Sequence, residues 1–443
     1  MKLPVWVGFV VHGTGSWRAP LMALLFQAPL FLPSHTTLAA VSYTTLYCFN
    51  RQPLEPEAPL CLGNDGMLYG TSANGGTNML GSIFRMDTNG TIELLWSFSG
   101  RADGARPYGG LVQASDGRFY GAANRGGTNE STWSSGGGTI FRFSLPEGVV
   151  PLRNFSHYDQ CGVYPYGELT QYADGYLYGT TSSGGSNNNG TIFRVSTNGA
   201  FSTVWHFRGS SGGRSPMTGL VAGDDGDLYG VTFSGGSNNQ GTLYRYSPTN
   251  AHSVVWHFSG GADGGLPGGR LLRVSNVLYG TAQSGGSNGY GCVYKLVNGN
   301  TFVPLASFTN GPSGSAPVAG LTLAPNGEIY GVAVSGGTNV FGSRYGAIYR
   351  LQTNGSVAPV WMFSNEADGS HPQVPLTVGS DGWLYGFTPH GGTGTVLHLG
   401  VVFKMNVAGA VKPLHSFSRG PEVARVHFQE PDGSFVVRSE EHT

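Results

Sequence analysis

Hydrophobic and polar positions alternate along the chain in short runs, each bounded by a turn pair or a double glycine. One stretch shows the grammar: Leu177-Tyr178-Gly179, then Gly184-Gly185, then Gly190-Thr191-Ile192-Phe193-Arg194, then Val204-Trp205-His206-Phe207. Each run has the length and two-residue period of a β-strand. Asp116-Gly117 and its equivalents suit the positive-φ positions of a two-residue hairpin turn, which joins a first strand to the Tyr-Gly strand. Asn198-Gly199 joins the third and fourth strands in the same way. The pattern repeats with Tyr69, Tyr120, Tyr178, Tyr229, Tyr279, Tyr330 and Tyr385 as markers. Four short antiparallel strands per unit of about 50 residues make one propeller blade. The sequence therefore predicts an all-β, seven-bladed β-propeller of four-stranded antiparallel blades.

Seven units run from about Leu60 to Phe417, with no linker or composition shift, so residues 41–437 are expected to form one domain and 438–443 a tail. Tyr43 to Phe49 resembles a lone fourth strand, and Val423 to Val437 a first and second strand. These ends are expected to clasp a seven-bladed ring; eight blades, one built from both termini, is the alternative.

Composition narrows the function classes. The chain has 73 glycines, only 11 % charged residues and a net charge of -1, which leaves no electrostatic footprint for nucleic acid or an anionic membrane. Lys2, Arg18, the apolar run Leu21 to Leu32 and the small residues Ala39 and Ala40 predict a secretory signal peptide over residues 1–40. With Pro29 inside it and Pro33 after it, that run is too short for a spanning helix, so no transmembrane segment is expected in the mature chain. A misassigned start, with Met22 available, is the competing account. The product is expected to be secreted, periplasmic or on the cell surface. There an oxidising compartment would permit a Cys48–Cys61 disulfide; Cys161 and Cys292 complete a set whose spacing matches no zinc or haem pattern.

Residues that recur in every blade are read as structural. A basic residue follows each third strand: Arg85, Arg142, Arg194, Arg245, Lys295, Arg350 and Lys404. Asp65, Asp116, Asp174, Asp225, Asn276, Asn326 and Asp381 occupy the first turn on the same propeller face. Ion pairs or turn hydrogen bonds within blades are expected there; a basic ring gripping an anionic polymer is the functional alternative. His206, His257 and His415 fall on outermost strands of different blades and cannot converge on one metal ion.

Loops after the second and fourth strands open on the other face, and variation between units concentrates there. Asn129, Glu130 and Trp133 are inserted in unit two, Phe341, Arg344 and Tyr345 in unit six, and His390 and His398 in unit seven. His157, Tyr158 and Asp159 lie on the connection between units two and three. Aromatic and polar side chains on a rigid ring suit sugar recognition, with plain loop drift as the competing account. Asp103, Asp263 and Asp368, each in an Ala-Asp-Gly loop, are expected to form turns; calcium binding is the alternative.

No sequence feature identifies a catalytic residue. There is no HExxH, no GxSxG between a strand and a helix, and the glycine pairs lie in hairpins. Glu130 with Asp159 is the only carboxylate pair to nominate for glycoside chemistry.

The phrases LYGTT, SGGSNNNGTIFR and VWHF, from Leu177 to Phe207, resemble the GloVer tandem-repeat family of bacterial surface proteins, over nearly the whole mature chain. The repeat length and double glycine are also kelch-like. The resemblance implies an exported, surface-associated protein and brings no catalytic residues. Pro421 to Thr443 is polar and lacks the family's sorting tails, so release rather than anchoring is expected. Together these readings predict an exported, monomeric, non-catalytic propeller without a cofactor, binding a carbohydrate or protein through its variable loop face. A propeller enzyme acting on polysaccharide and a purely structural component are the alternatives.

Overall fold

The computed structural model describes residues 53–54, 56–127, 136–158, 160–249, 251–337, 344–392 and 398–418, and the backbone of 425–429 and 435–438. Glu130, Trp133, Asp159, Phe341, Cys48 and residues 1–40, where a signal peptide is expected, lie outside the described residues.

Seven antiparallel sheets follow one another along the chain, each built from consecutive strands, and together they form a seven-bladed β-propeller. Blade four is representative, with strands Val221–Ala222, Leu228–Thr232, Thr242–Ser247 and Ala251–His257 paired in that order. No helix long and apolar enough to cross a membrane occurs among the described residues.

The turns differ from the two-residue hairpins that Asp-Gly suggests. In blade one, Leu62 pairs with Leu68, Gly63 N–H donates to Met67 O, and Gly66 N–H donates to Gly63 O. Only Gly66, at φ 80°, takes the left-handed conformation; the loop is a three-residue turn closed by a glycine bulge. The aspartate instead turns its side chain inward, and Asp65 Oδ1 accepts from Met67 N–H at 3.1 Å.

Packing explains the Tyr-Gly pair. A Cβ on the glycine would come within 3.0 Å of the aromatic ring on the third strand in every blade, so the ring lies flat across the bare backbone. Phe84, Phe141, Phe193 and Phe403 occupy that third-strand place in blades one, two, three and seven, and Tyr244, Tyr294 and Tyr349 in blades four to six. The three tyrosine hydroxyls are buried without a hydrogen-bond partner, and burial drives their pKa far up. An unsatisfied buried hydroxyl costs about 1–3 kcal/mol. Tyr294→Phe, which copies the other blades, is therefore expected to raise stability by about 1 kcal/mol in urea unfolding. A lower midpoint for the variant would show that the hydroxyl is satisfied in solution.

Complete blades close the ring. Thr377 Oγ1 on the innermost strand of blade seven donates to Leu60 O of blade one at 2.9 Å, and Lys404 Nζ donates to Thr88 O at 2.7 Å. Pro53–Leu54 pairs with Asn74–Gly75 of blade one and approaches Val411–Ser418 of blade seven, so it crosses the seam. Arg425–Gln429 and Phe435–Arg438 pair with each other as a separate hairpin rather than entering an eighth blade. Tyr43 to Phe49 lies outside the described residues.

Candidate functional site

Each inner strand is entered through a proline three residues before a residue that precedes a buried leucine. The leucines are Leu60, Leu111, Leu169, Leu220, Leu271, Leu321 and Leu376. Since the inner strand begins on the face that carries the loops after strands two and four, these entries ring the axial channel on that variable face. The repeat is broken at two places in this ring. The residue before the leucine is glycine or proline in five blades, but Glu168 in blade three and Arg270 in blade five.

Those two residues meet. Arg270 Nη1 lies 2.5 Å from Glu168 Oε2, and Arg270 Nη2 reaches Thr170 Oγ1 and Leu220 O, each at 3.4 Å. The bridge passes over the entry of blade four, where a Cβ on Gly219 would lie 2.6 Å from Glu168 O. Beneath it runs an axial cavity of about 500 Å3 lined by all seven blades, including Cys61, Glu168, Arg270 and Thr377. Burial foremost, with Glu168 adding to it, raises the pKa of the Cys61 thiol and keeps it protonated.

Two residues before Glu168 stands Tyr166, stacked on Tyr108 of blade two with ring centroids 5.0 Å apart and planes 10° from parallel. Both rings are half-buried, and neither hydroxyl has a hydrogen-bond partner among the described residues. Burial, the charge of Glu57 and then Tyr108 push the Tyr166 pKa up to about 12, so its phenol is a neutral donor at physiological pH. The mouth thus offers an aromatic pair, free hydroxyls, a neutralised ion pair and a second carboxylate, Glu57.

Some residues singled out from sequence gather at the rim of the same face. Tyr345 and His390 flank His371, with ring centroids 6.2 and 5.6 Å from it. Burial and the neighbouring His390 lower the His371 pKa, which favours the neutral ring. Between blades two and three, His157 shares a 3.2 Å hydrogen bond with Tyr164, whose ring lies under the Arg125 guanidinium at 4.2 Å. Tyr158 projects outward at 92 % exposure.

The recurring residues build the opposite face. Tyr69, Tyr120, Tyr178, Tyr229 and Tyr385 each donate a hydroxyl hydrogen bond of 2.5–2.8 Å to the aspartate of their own turn. Tyr330 uses Glu328 instead, at 2.7 Å. Basic partners add to this layer: Arg194 and Lys404 approach the turn aspartates at 3.9 and 3.5 Å, and Arg245 approaches Asp227 at 3.9 Å. Arg85, Arg142 and Arg350 pair with Glu93, Glu147 and Glu328 at 2.7–2.8 Å. Lys295 and Tyr279 have no polar partner among the described residues.

His206 and His257 are loop fasteners: their Nδ1 atoms accept from Ser186 and Ser237 N–H at 3.2 and 3.3 Å, a task that Ser97 and Ser307 perform in other blades. Asp103, Asp263 and Asp368 are buried and bind their own turns. Each accepts from a tryptophan Nε1 and from the N–H and hydroxyl of a serine four residues earlier. No group of three His, Cys, Asp or Glu residues that could hold a metal ion occurs among the described residues.

Sequence reasoning passed over Glu168, Arg270, Tyr108 and Tyr166 because it looked for insertions. Their signal was substitution within an otherwise repeated phrase, visible when the seven entries to the inner strands are set side by side.

Fold and site together define a repeat-built seven-bladed propeller with one irregular axial mouth. The sequence profile of the Gloeobacter/Verrucomicrobia repeat matches residues 55–285 and 222–436, and the chain belongs to that family. None of the curated proteins is significantly similar to it in sequence. Solved structures share the fold. A streptogramin B lyase matches with a TM-score of 0.51 at 16 % identity, over 76 % of this chain and 92 % of its own. A virginiamycin B lyase from Staphylococcus aureus matches with a TM-score of 0.50 at 13 % identity, over 82 % and 96 %. A puromycin hydrolase matches with a TM-score of 0.52 at 11 % identity, over 88 % of this chain and only 58 % of its own.

Proposed function

We propose that this protein is an exported binding propeller that holds a carbohydrate at the axial mouth of its variable face without turning it over. The observation that carries this reading is the stacked Tyr108–Tyr166 pair beside the Glu168–Arg270 bridge, set where the blades depart from their repeat. Apolar sugar faces pack on aromatic rings, while the free phenol hydroxyls and the bridge supply donors and acceptors for sugar hydroxyls. The titratable groups support binding over chemistry. Cys61 and Tyr166 are held protonated, and Glu168 is engaged by Arg270. Export rests on the Leu21 to Leu32 run and its flanks.

The test is to incubate the protein with a panel of insoluble polysaccharides and cell-wall preparations, measuring co-sedimentation and soluble product together. Co-sedimentation without product is expected, and Tyr108→Ala with Tyr166→Ala should weaken it at least tenfold. Unchanged binding by that double variant would place the ligand elsewhere. Release of product would instead support a propeller enzyme acting on polysaccharide, the reading favoured by Glu57 and Glu168 both standing at the mouth.

A further inference from the structure

On the face opposite the axial mouth, blade five lacks the clamp that the other blades share. Its innermost hairpin is one residue shorter: Leu271 precedes Tyr279 by eight positions, where the equivalent spacing is nine in every other blade. Val274 pairs with Val277 across Ser275-Asn276, a true two-residue turn with Ser275 at φ 49°. The turn carries no carboxylate, and Asn276 Nδ2 donates to Asn298 Oδ1 at 2.6 Å.

Two consequences follow for the neighbouring side chains. Tyr279 is the only marker tyrosine that is not buried, and its hydroxyl has no partner among the described residues. Lys295, directly across the strand pair from it, has no counter-ion there either. The layer above is also missing. In blades six and seven the turn between strands three and four of the next blade covers the clamp: Tyr330 donates to Val407 O at 3.1 Å and Tyr385 to Thr88 O at 3.3 Å. Over blade five the corresponding turn, Gln352 to Gly355, stands off and leaves a cavity of about 500 Å3.

That cavity has Lys295 and Tyr279 on one wall, the Arg350–Glu328 pair on another, and Val274, Leu305 and Ile329 as apolar lining. Arg350 and Glu328 neutralise each other at 2.7 Å, so the uncompensated charge in the cleft is the single cation of Lys295. An ammonium with three donors beside a phenol donor, in a partly apolar cleft, is the chemistry that receives an oxyanion.

We propose that the cleft between blades five and six is a binding site for a small oxyanion-bearing ligand, whose carboxylate or phosphate is held by Lys295 and Tyr279. The ligand takes the place of the turn aspartate that blade five has lost. Its body lies on Val274, Leu305 and Ile329. The site is on the opposite face from the carbohydrate mouth and stands independently of it.

Calorimetric titration of the full chain with inorganic phosphate, glucuronate and glucose, at low and at 0.5 M salt, tests this. Phosphate or glucuronate is expected to bind and glucose not to, with affinity falling as salt rises. Phosphate alone would point to a phosphoryl ligand and glucuronate alone to a carboxylate. Lys295→Met should lower the affinity at least tenfold while leaving the melting temperature in place. Asn276→Asp, which returns a carboxylate to the turn beside Lys295, should do the same by supplying an internal competitor. Absence of binding by both anions, or affinity that survives both substitutions, would overturn the proposal.

Discussion

Asp263→Ala is expected to destabilise the protein by about 3 kcal/mol, whereas Gly212→Asp is expected to stabilise it by about 1 kcal/mol. Both follow from one corner. Trp256 Nε1 donates to Asp263 Oδ2 at 3.0 Å, Ser259 N–H to the same oxygen at 2.9 Å, and the Ser259 hydroxyl to Oδ1. The carboxylate is buried, so truncating it leaves donors that water reaches poorly. Blade three supplies the reciprocal experiment. Trp205 occupies the place of Trp256 and stacks on His252 as Trp256 stacks on Phe302, but seven residues later stands Gly212 instead of an aspartate. Trp205 Nε1 is accordingly buried without a partner. A Cβ at Gly212 would meet Arg208 N at 3.6 Å, an ordinary contact, so the backbone has room for a side chain there, and an aspartate is expected to reach Trp205 Nε1 as Asp263 reaches Trp256. Urea unfolding of the two variants measures both signs. Equal stability of Asp263→Ala and the native protein would show that the corner contributes nothing.

Gly280→Ala should cost about 2 kcal/mol, in the range for overpacking a dense core. Gly280 is absent from the positive-φ positions, so the cost is steric and not conformational. Its missing Cβ is the space that the Tyr294 ring fills, and Tyr294 is fully buried among Tyr229, Phe258 and Leu278. The double variant Gly280→Ala with Tyr294→Leu should recover part of the loss, because the flat ring is what collides. Denaturant midpoints for the single and double variants check this; no recovery would place the strain in the backbone.

These two expectations separate what one chain segment states about itself from what contact states. The Tyr-Gly phrase was legible as a strand, yet nothing local in it says that the glycine exists for a ring ten or more residues away. The Asp-Gly pairs were legible as turns, yet their three-residue form came from the hydrogen bond of Gly63 N–H to Met67 O, which adds a residue to the loop. Ala-Asp-Gly was legible as a turn former, and its tryptophan partner was not, because the indole reaches it only when the outer strand curls over the connection to the next blade.

By itself the sequence determined the four-stranded blade, its sevenfold repetition and the face on which the units vary, while the choice between seven and eight blades fell to the fold, where Arg425–Gln429 and Phe435–Arg438 pair with each other. Those properties rest on short-range alternation, turn chemistry and a period of about 50 residues, and a repeat writes each of them seven times. Which variable residues meet was decided only by ring closure. Tyr345 and His390, 45 positions apart, come to flank His371, and Glu168 reaches Arg270 across 102 positions. The break at Lys295 has the same origin: one deleted residue in a hairpin becomes a cavity only because the next blade's turn has no clamp to cover. A period encodes the unit, while a site arises from unlike units facing one another, and that juxtaposition exists only in the closed ring.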